Sequence, residues 1–147
     1  MREKLTGLLL ALLLCPAFAV GAESLTLIAN VPEGSAFDAG YALLLVRGET
    51  KNWEGGVDAR VALPSREAPN YERVAKEVFG MSGRGMQRLW FRLVFSGKVN
   101  APTYLRDDAA VVRFVRENVG AVGVIVSGDH GYEGIRTAAI MVKQASP

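Results

Sequence analysis

The sequence predicts an α/β domain with some parallel strand pairing. Three observations carry that expectation. Strand-like stretches alternate with stretches of helical period along the chain. One of the strands, Ala121 to Val126 (AVGVIV), is short and wholly apolar, the pattern of a strand in the middle of a sheet. Between the outer elements, Ser65 to Gly97 spells two amphipathic helices joined by a glycine-rich break.

The chain has 147 residues and a net charge of +2, a length that argues for one domain. Its first 22 residues read as a secretory signal peptide rather than part of the fold. Arg2 and Lys4 form a basic start, Leu5 to Leu14 an apolar run, and small-x-small sites end at Ala19 and Ala22. The run is too short to span a bilayer core of ~30 Å. Cleavage is expected after Ala22, with Ala19 as the alternative. Leu14 before Cys15 is not the small residue that a lipidated cysteine needs, and cleavage removes this one cysteine. The expected mature domain is 23–147, a secreted protein with no disulfide and no thiol site. Losing Arg2, Lys4 and Glu3 lowers the charge by one, to +1, which is no footprint for nucleic acid.

The elements follow in order. Ser24 to Val31 reads as a strand with apolar residues on both faces. Pro32 to Ser35 is a turn. Phe37, Tyr41, Leu44 and Leu45 have helical spacing, which predicts a helix over 36–46. Arg47 to Gly56 is a polar loop whose Trp53 is expected to anchor it to the core, a burial contributing roughly 2–3 kcal/mol, rather than to serve as a binding aromatic. Val57 to Leu63 alternates and predicts a second strand. Tyr71, Val74, Val78 and Phe79 share one helical face, with Pro69 expected in the first turn and Gly80 as the left-handed stop. Ser82 caps the next helix, whose apolar face is Met86, Leu89, Trp90, Leu93 and Val94, with Arg88 and Arg92 opposite. Lys98 to Arg106 reads as a loop. Asp107 or Asp108 caps a helix through Asn118, the strand 121–126 follows, Ser127 to Gly134 is a turn cluster, and Ile135 to Val142 is a last strand.

Three motifs invite chemistry. His130 stands in Ser127-Gly128-Asp129-His130-Gly131. A catalytic triad is assembled by geometry and its members rarely adjoin in sequence, so this cluster reads as turn chemistry. One histidine without a mature cysteine predicts no metal site and no cofactor. Gly80 to Gly85 (GMSGRG) lacks the Gly-Lys-Ser/Thr ending of a nucleotide loop and follows a helix. The stronger candidate is the strand–loop–helix passage around Arg60, Ser65 and Arg66. Ligands bind open α/β sheets at such passages, and arginine offers a planar donor fork to phosphate or carboxylate.

The order of these parts resembles a family. Arg47-Gly48 precedes Trp53-x-Gly55, and a strand ends in Leu63-Pro64. A helix ends Val78-Phe79-Gly80, Leu89-Trp90-x-Arg92-Leu93-Val94-Phe95-Ser96-Gly97-Lys98 follows, and Gly120-Ala121-Val122-Gly123 opens a strand. Together they resemble the short, single-lobe relatives of the periplasmic phosphate-binding proteins that serve ABC transporters. The resemblance implies a periplasmic-binding-protein type II-like single lobe, a mixed sheet flanked by helices. It also implies phosphate at the start of the helix near Pro69, with Asn70 and Tyr71 contributing. Relatives tend to have Ser before that proline and Arg shortly after it; here Ala68 and Tyr71 stand there.

The expectation is a secreted phosphate- or anion-binding protein, not an enzyme, with Arg60, Ser65, Arg66, Asn70 and Tyr71 around the anion. One lobe cannot enclose a ligand alone, so expected partners are a membrane permease, another envelope protein or a second copy. The alternative is an envelope scaffold that keeps the lobe without its anion site.

Overall fold

The computed structural model describes residues 23–126, 128 and 130–140. The expected leader, Ser127, Asp129, Met141, Val142 and the tail lie outside the described residues. Nine elements follow in order: β1 (Leu25–Ala29), α1 (Ala39–Val46), β2 (Arg60–Pro64), α2 (Tyr71–Phe79), α3 (Gly83–Phe95), β3 (Thr103–Leu105), α4 (Asp108–Glu117), β4 (Ala121–Val126) and β5 (Arg136–Ala139). The class is α/β, as the alternation predicts.

The five strands form one mixed sheet in the order β3-β2-β4-β1-β5. β2 pairs in parallel with β3 and β4, whereas β1 runs antiparallel to β4 and β5. Central β4 is buried over Ala121 to Ile125, with Val126 half-buried, as its unbroken apolar run requires. β1 supplies both faces: Leu25, Leu27 and Ala29 join the core that also holds residues of α1, α2 and α3, and Ile28 joins the core beneath α4. α4 rests close on the sheet at Gly123, where a Cβ would stand 2.9 Å from Val111 Cγ1. Both cores are built from residues between Leu25 and Ile140.

Local signals set most boundaries. Gly80 takes φ 66 and stops α2 in the left-handed conformation that a side chain would strain. Ser82 Oγ accepts from Gly85 N–H at 3.1 Å and starts α3. Asp107 accepts from Ala110 N–H at 2.7 Å and starts α4. Trp53 is buried, and its indole N–H donates to Gly120 O at 2.9 Å, so the polar loop is anchored as expected.

Other boundaries differ from the sequence reading. α1 begins at Ala39, because Asp38 accepts from Tyr41 N–H at 2.7 Å and caps the helix there. β2 begins at Arg60: Asp58 is drawn into a bridge with Asn52, and Val57 is exposed. Pro69 lies before the α2 cap residue, Asn70, rather than inside the first turn. The expected loop 98–106 contains β3, which pairs Thr103, Tyr104 and Leu105 with Ala62, Leu63 and Pro64. Three residues are too few to show a period. The last strand covers Arg136–Ala139 within the expected 135–142. No helix among the described residues is long and apolar enough to cross a membrane.

Candidate functional site

The chain leaves β2 at Pro64 and turns twice before α2. Ser65 N–H donates to Leu105 O at 2.8 Å, Ala68 N–H to Ser65 O at 2.9 Å, and Tyr71 N–H to Ala68 O at 3.1 Å. Asn70 occupies the cap position but does not cap, since its side chain donates to Asp108 Oδ1 at 2.8 Å instead. The N–H groups of Glu72 and Arg73 therefore have no hydrogen-bond partner among the described residues. They carry the positive end of the α2 dipole.

A cleft of about 460 Å³ opens there, lined by Arg66, Pro69, Tyr71, Glu72, Arg84 and Gln87, with Ala68 in its wall. α3 reaches it because three contacts pin its start against the start of α2. Tyr71 Oη donates to Gly83 O at 2.7 Å, and Gly83 N–H donates to Glu72 Oε2 at 2.9 Å. A Cβ on Gly83 would come within 2.2 Å of the Tyr71 ring, so only glycine allows this approach. Burial pushes the Tyr71 hydroxyl pKa up, Arg66 pulls it down and Glu72 raises it further. The Glu67 carboxyl is held below its ordinary value by its own backbone N–H and then by the Ser65 hydroxyl. Neither Arg66 nor Arg84 forms an ion pair among the described residues, and both are exposed.

The cleft thus combines two unpaired guanidinium groups, a side-chain amide and the free N–H of Glu72. That set suits a small oxyanion. Glu72 opposes it, although its carboxylate is engaged in capping α3.

Of the five residues expected around an anion, the structure brings Arg66 and Tyr71 together. Tyr71 contributes position rather than a free hydroxyl, since its O–H is spent on Gly83. Asn70 is buried and turned toward Asp108, on the other flank of the helix start. Ser65 lies in the turn with its Oγ shielded from solvent and no hydrogen bond of normal geometry, despite its influence on Glu67. Arg60 is a correction. It stands at the opposite end of β2, about 13–16 Å of strand from Ser65, and donates to Asn118 Oδ1 at 2.9 Å. Being near in sequence to a helix start is not the same as being near it along a strand.

Arg84 and Gln87 were not among the expected residues. One signal was present: Arg84 sits in the first turn of a helix, where the macrodipole disfavours a cation.

A second cleft, about 450 Å³, lies on the other flank of α2, against Asn70, Arg73, Asp108, Val126 and His130. It sits outside the carboxyl ends of parallel neighbours β2 and β4, where such sheets commonly take ligands. Here Asp108 accepts from Asn70 Nδ2 at 2.8 Å and from Val126 N–H at 2.9 Å. Its carboxyl is pushed above its ordinary pKa by burial, against the pull of Val126 N–H, His130 and Asn70. An internal carboxylate thus already holds two of the donors that face this crevice. His130 packs edge-on to Tyr132 at 6.4 Å. Its sequence neighbours Ser127 and Asp129 lie outside the described residues.

A third groove, about 720 Å³, runs between the ends of α1 and α2 and the side of α3. Its charged rim mixes Arg47 and Lys98 with Glu49 and Glu77, so it favours neither sign of ligand. Comparison with family models, with curated proteins and with solved structures gave no match.

Proposed function

We propose that the chain is an exported, single-lobe binding protein for a small oxyanion, with phosphate as the first candidate. The observation that carries this reading is the pair Arg66 and Arg84, unpaired and lining one cleft with the uncapped start of α2. The finer fold, one lobe of periplasmic-binding-protein type II, is supported by the mixed sheet, the helices on both faces and the order of motifs in the sequence. The leader read from the first 22 residues of the sequence, with the family resemblance, supports a periplasmic location.

Two charge-assisted hydrogen bonds of about 2 kcal/mol each give roughly 4 kcal/mol, a Kd on the order of 1 mM. An open cleft on one lobe does not exclude water, so tighter capture requires a permease, another envelope protein or a second copy to close over it. The test is calorimetric titration of the 23–147 chain with phosphate, and with sulfate as control. Saturable binding that is lost in both Arg66→Gln and Arg84→Gln supports the site. Binding unchanged in both variants removes it.

A second reading has its own observation. Asp108 fills the crevice at the carboxyl ends of β2 and β4 with a carboxylate of the chain itself. This favours a scaffold that has kept the lobe without its anion site, and absence of any phosphate heat at millimolar concentration would select it.

A further inference from the structure

We infer that the outer face of α3 is a docking surface for an anionic lipid bilayer. The helix carries an aromatic pair, with Arg88 and Arg92 beside it, that the oxyanion reading does not use. At about 100° per residue, Met86, Leu89, Trp90 and Leu93 share the inward side, and Met86 and Trp90 are buried. Phe91 and Phe95 fall within about 30° of the opposite direction. They are 55% and 80% exposed, the largest such pair of rings among the described residues. The rings stack on each other with centroids 5.3 Å apart, forming one exposed apolar knob.

Three cations frame the knob. Arg84, Arg88 and Arg92 recur every four residues on the same outward side, all exposed, and the helix holds no acidic residue. None of the three forms an ion pair among the described residues. Water-exposed phenyl rings beside unpaired arginines match the boundary of a bilayer, where rings enter the acyl region and guanidinium groups meet lipid phosphates.

Size and charge select this occupant. A helix of 13 residues is about 20 Å long and about 10 Å across, which offers a few hundred Å² on one face. Stable protein interfaces bury about 800 Å² per partner. A second copy presenting the same face would bring six arginines together without a counter-charge. A bilayer needs no matching groove, and an apolar knob plus a basic patch supplies both the buried apolar area and the attraction to anionic lipid that set binding at a membrane surface.

The test is co-sedimentation of the 23–147 chain, which contains every residue of both cores, with vesicles. One set is one part phosphatidylglycerol to two parts phosphatidylcholine, and the other is phosphatidylcholine alone. The expected result is binding to the anionic set only, weakened by salt. Arg88→Gln with Arg92→Gln should weaken partitioning about fivefold for each arginine removed. Phe91→Ser with Phe95→Ser should lose binding while leaving the phosphate titration unchanged. Both variants lie on the surface, and an unaltered near-UV tryptophan signal verifies their folding. No binding to anionic vesicles, or binding that neither variant weakens, overturns the inference. So does concentration-dependent self-association abolished by the phenylalanine variant, which assigns the face to a second copy.

Discussion

Replacing Asp108 with alanine removes the acceptor shared by the start of α2 and the end of β4. Two donors lose their partner: Asn70 Nδ2, now at 2.8 Å, and Val126 N–H, now at 2.9 Å. Both residues line the open cleft, so water can reach them, and each loss sits at the low end of the range, about 1 kcal/mol. Removing a partly buried charge returns some of that, leaving a net cost of about 1–2 kcal/mol. Urea unfolding followed by tryptophan fluorescence measures it. The vacated space keeps its donors, so acetate should bind there. At a concentration about tenfold above its Kd, acetate would restore about 1.4 kcal/mol to the variant and nothing to the unaltered chain.

The sign of the pH dependence follows from the raised carboxyl pKa. A carboxyl that is less acidic folded than unfolded takes up protons on folding. The cost of its charge is absent below the unfolded pKa and grows as pH rises through the folded value. Compared with Asp108→Asn, the unaltered chain should be relatively most stable in acid and lose ground toward neutrality. An Asp108→Ala variant as stable as the original, an equal acetate effect on both, or an advantage of the unaltered chain over Asp108→Asn that grows with pH would refute the assignment of Asp108 as an internal anion.

Three further outcomes are expected. Trp53→Phe leaves Gly120 O without its buried indole donor and should cost about 1–2 kcal/mol in the same unfolding assay. Gly123→Val forces a branched side chain against Val111 and Ala62, where even a Cβ would be at 2.9 and 3.2 Å, and should cost about 2–3 kcal/mol; an unchanged urea midpoint would show that α4 packs elsewhere. Glu72→Gln keeps an acceptor for Gly83 N–H and removes a like charge from the cleft. At about 6 Å in water that repulsion is about 0.7 kcal/mol, so phosphate should bind about threefold tighter by calorimetry.

Much of the fold was legible because its signals are local. Gly80, Ser82 and Asp107 act on backbone groups within a turn of themselves, and the apolar run 121–126 is a central strand wherever the chain runs. The buried face of α3 was readable from its period, and so was the outward direction of Phe91 and Phe95, although the sequence reading did not draw on that pair. The candidate site was legible only at Arg66 and Tyr71. Arg60 was misplaced because a strand separates its two ends by its own length, and Arg84 was missed because thirteen residues of helix and turn bring it back to Tyr71. What the sequence determined by itself were caps, periods and the α/β class, all set by interactions a few residues apart. Only the tertiary structure decided that β3 pairs with β2, that Arg84 joins Arg66, and that Asp108 bridges Asn70 and Val126. Those pairings span long loops, and the energy that selects them comes from burying two cores at once, which no local stretch of sequence contains.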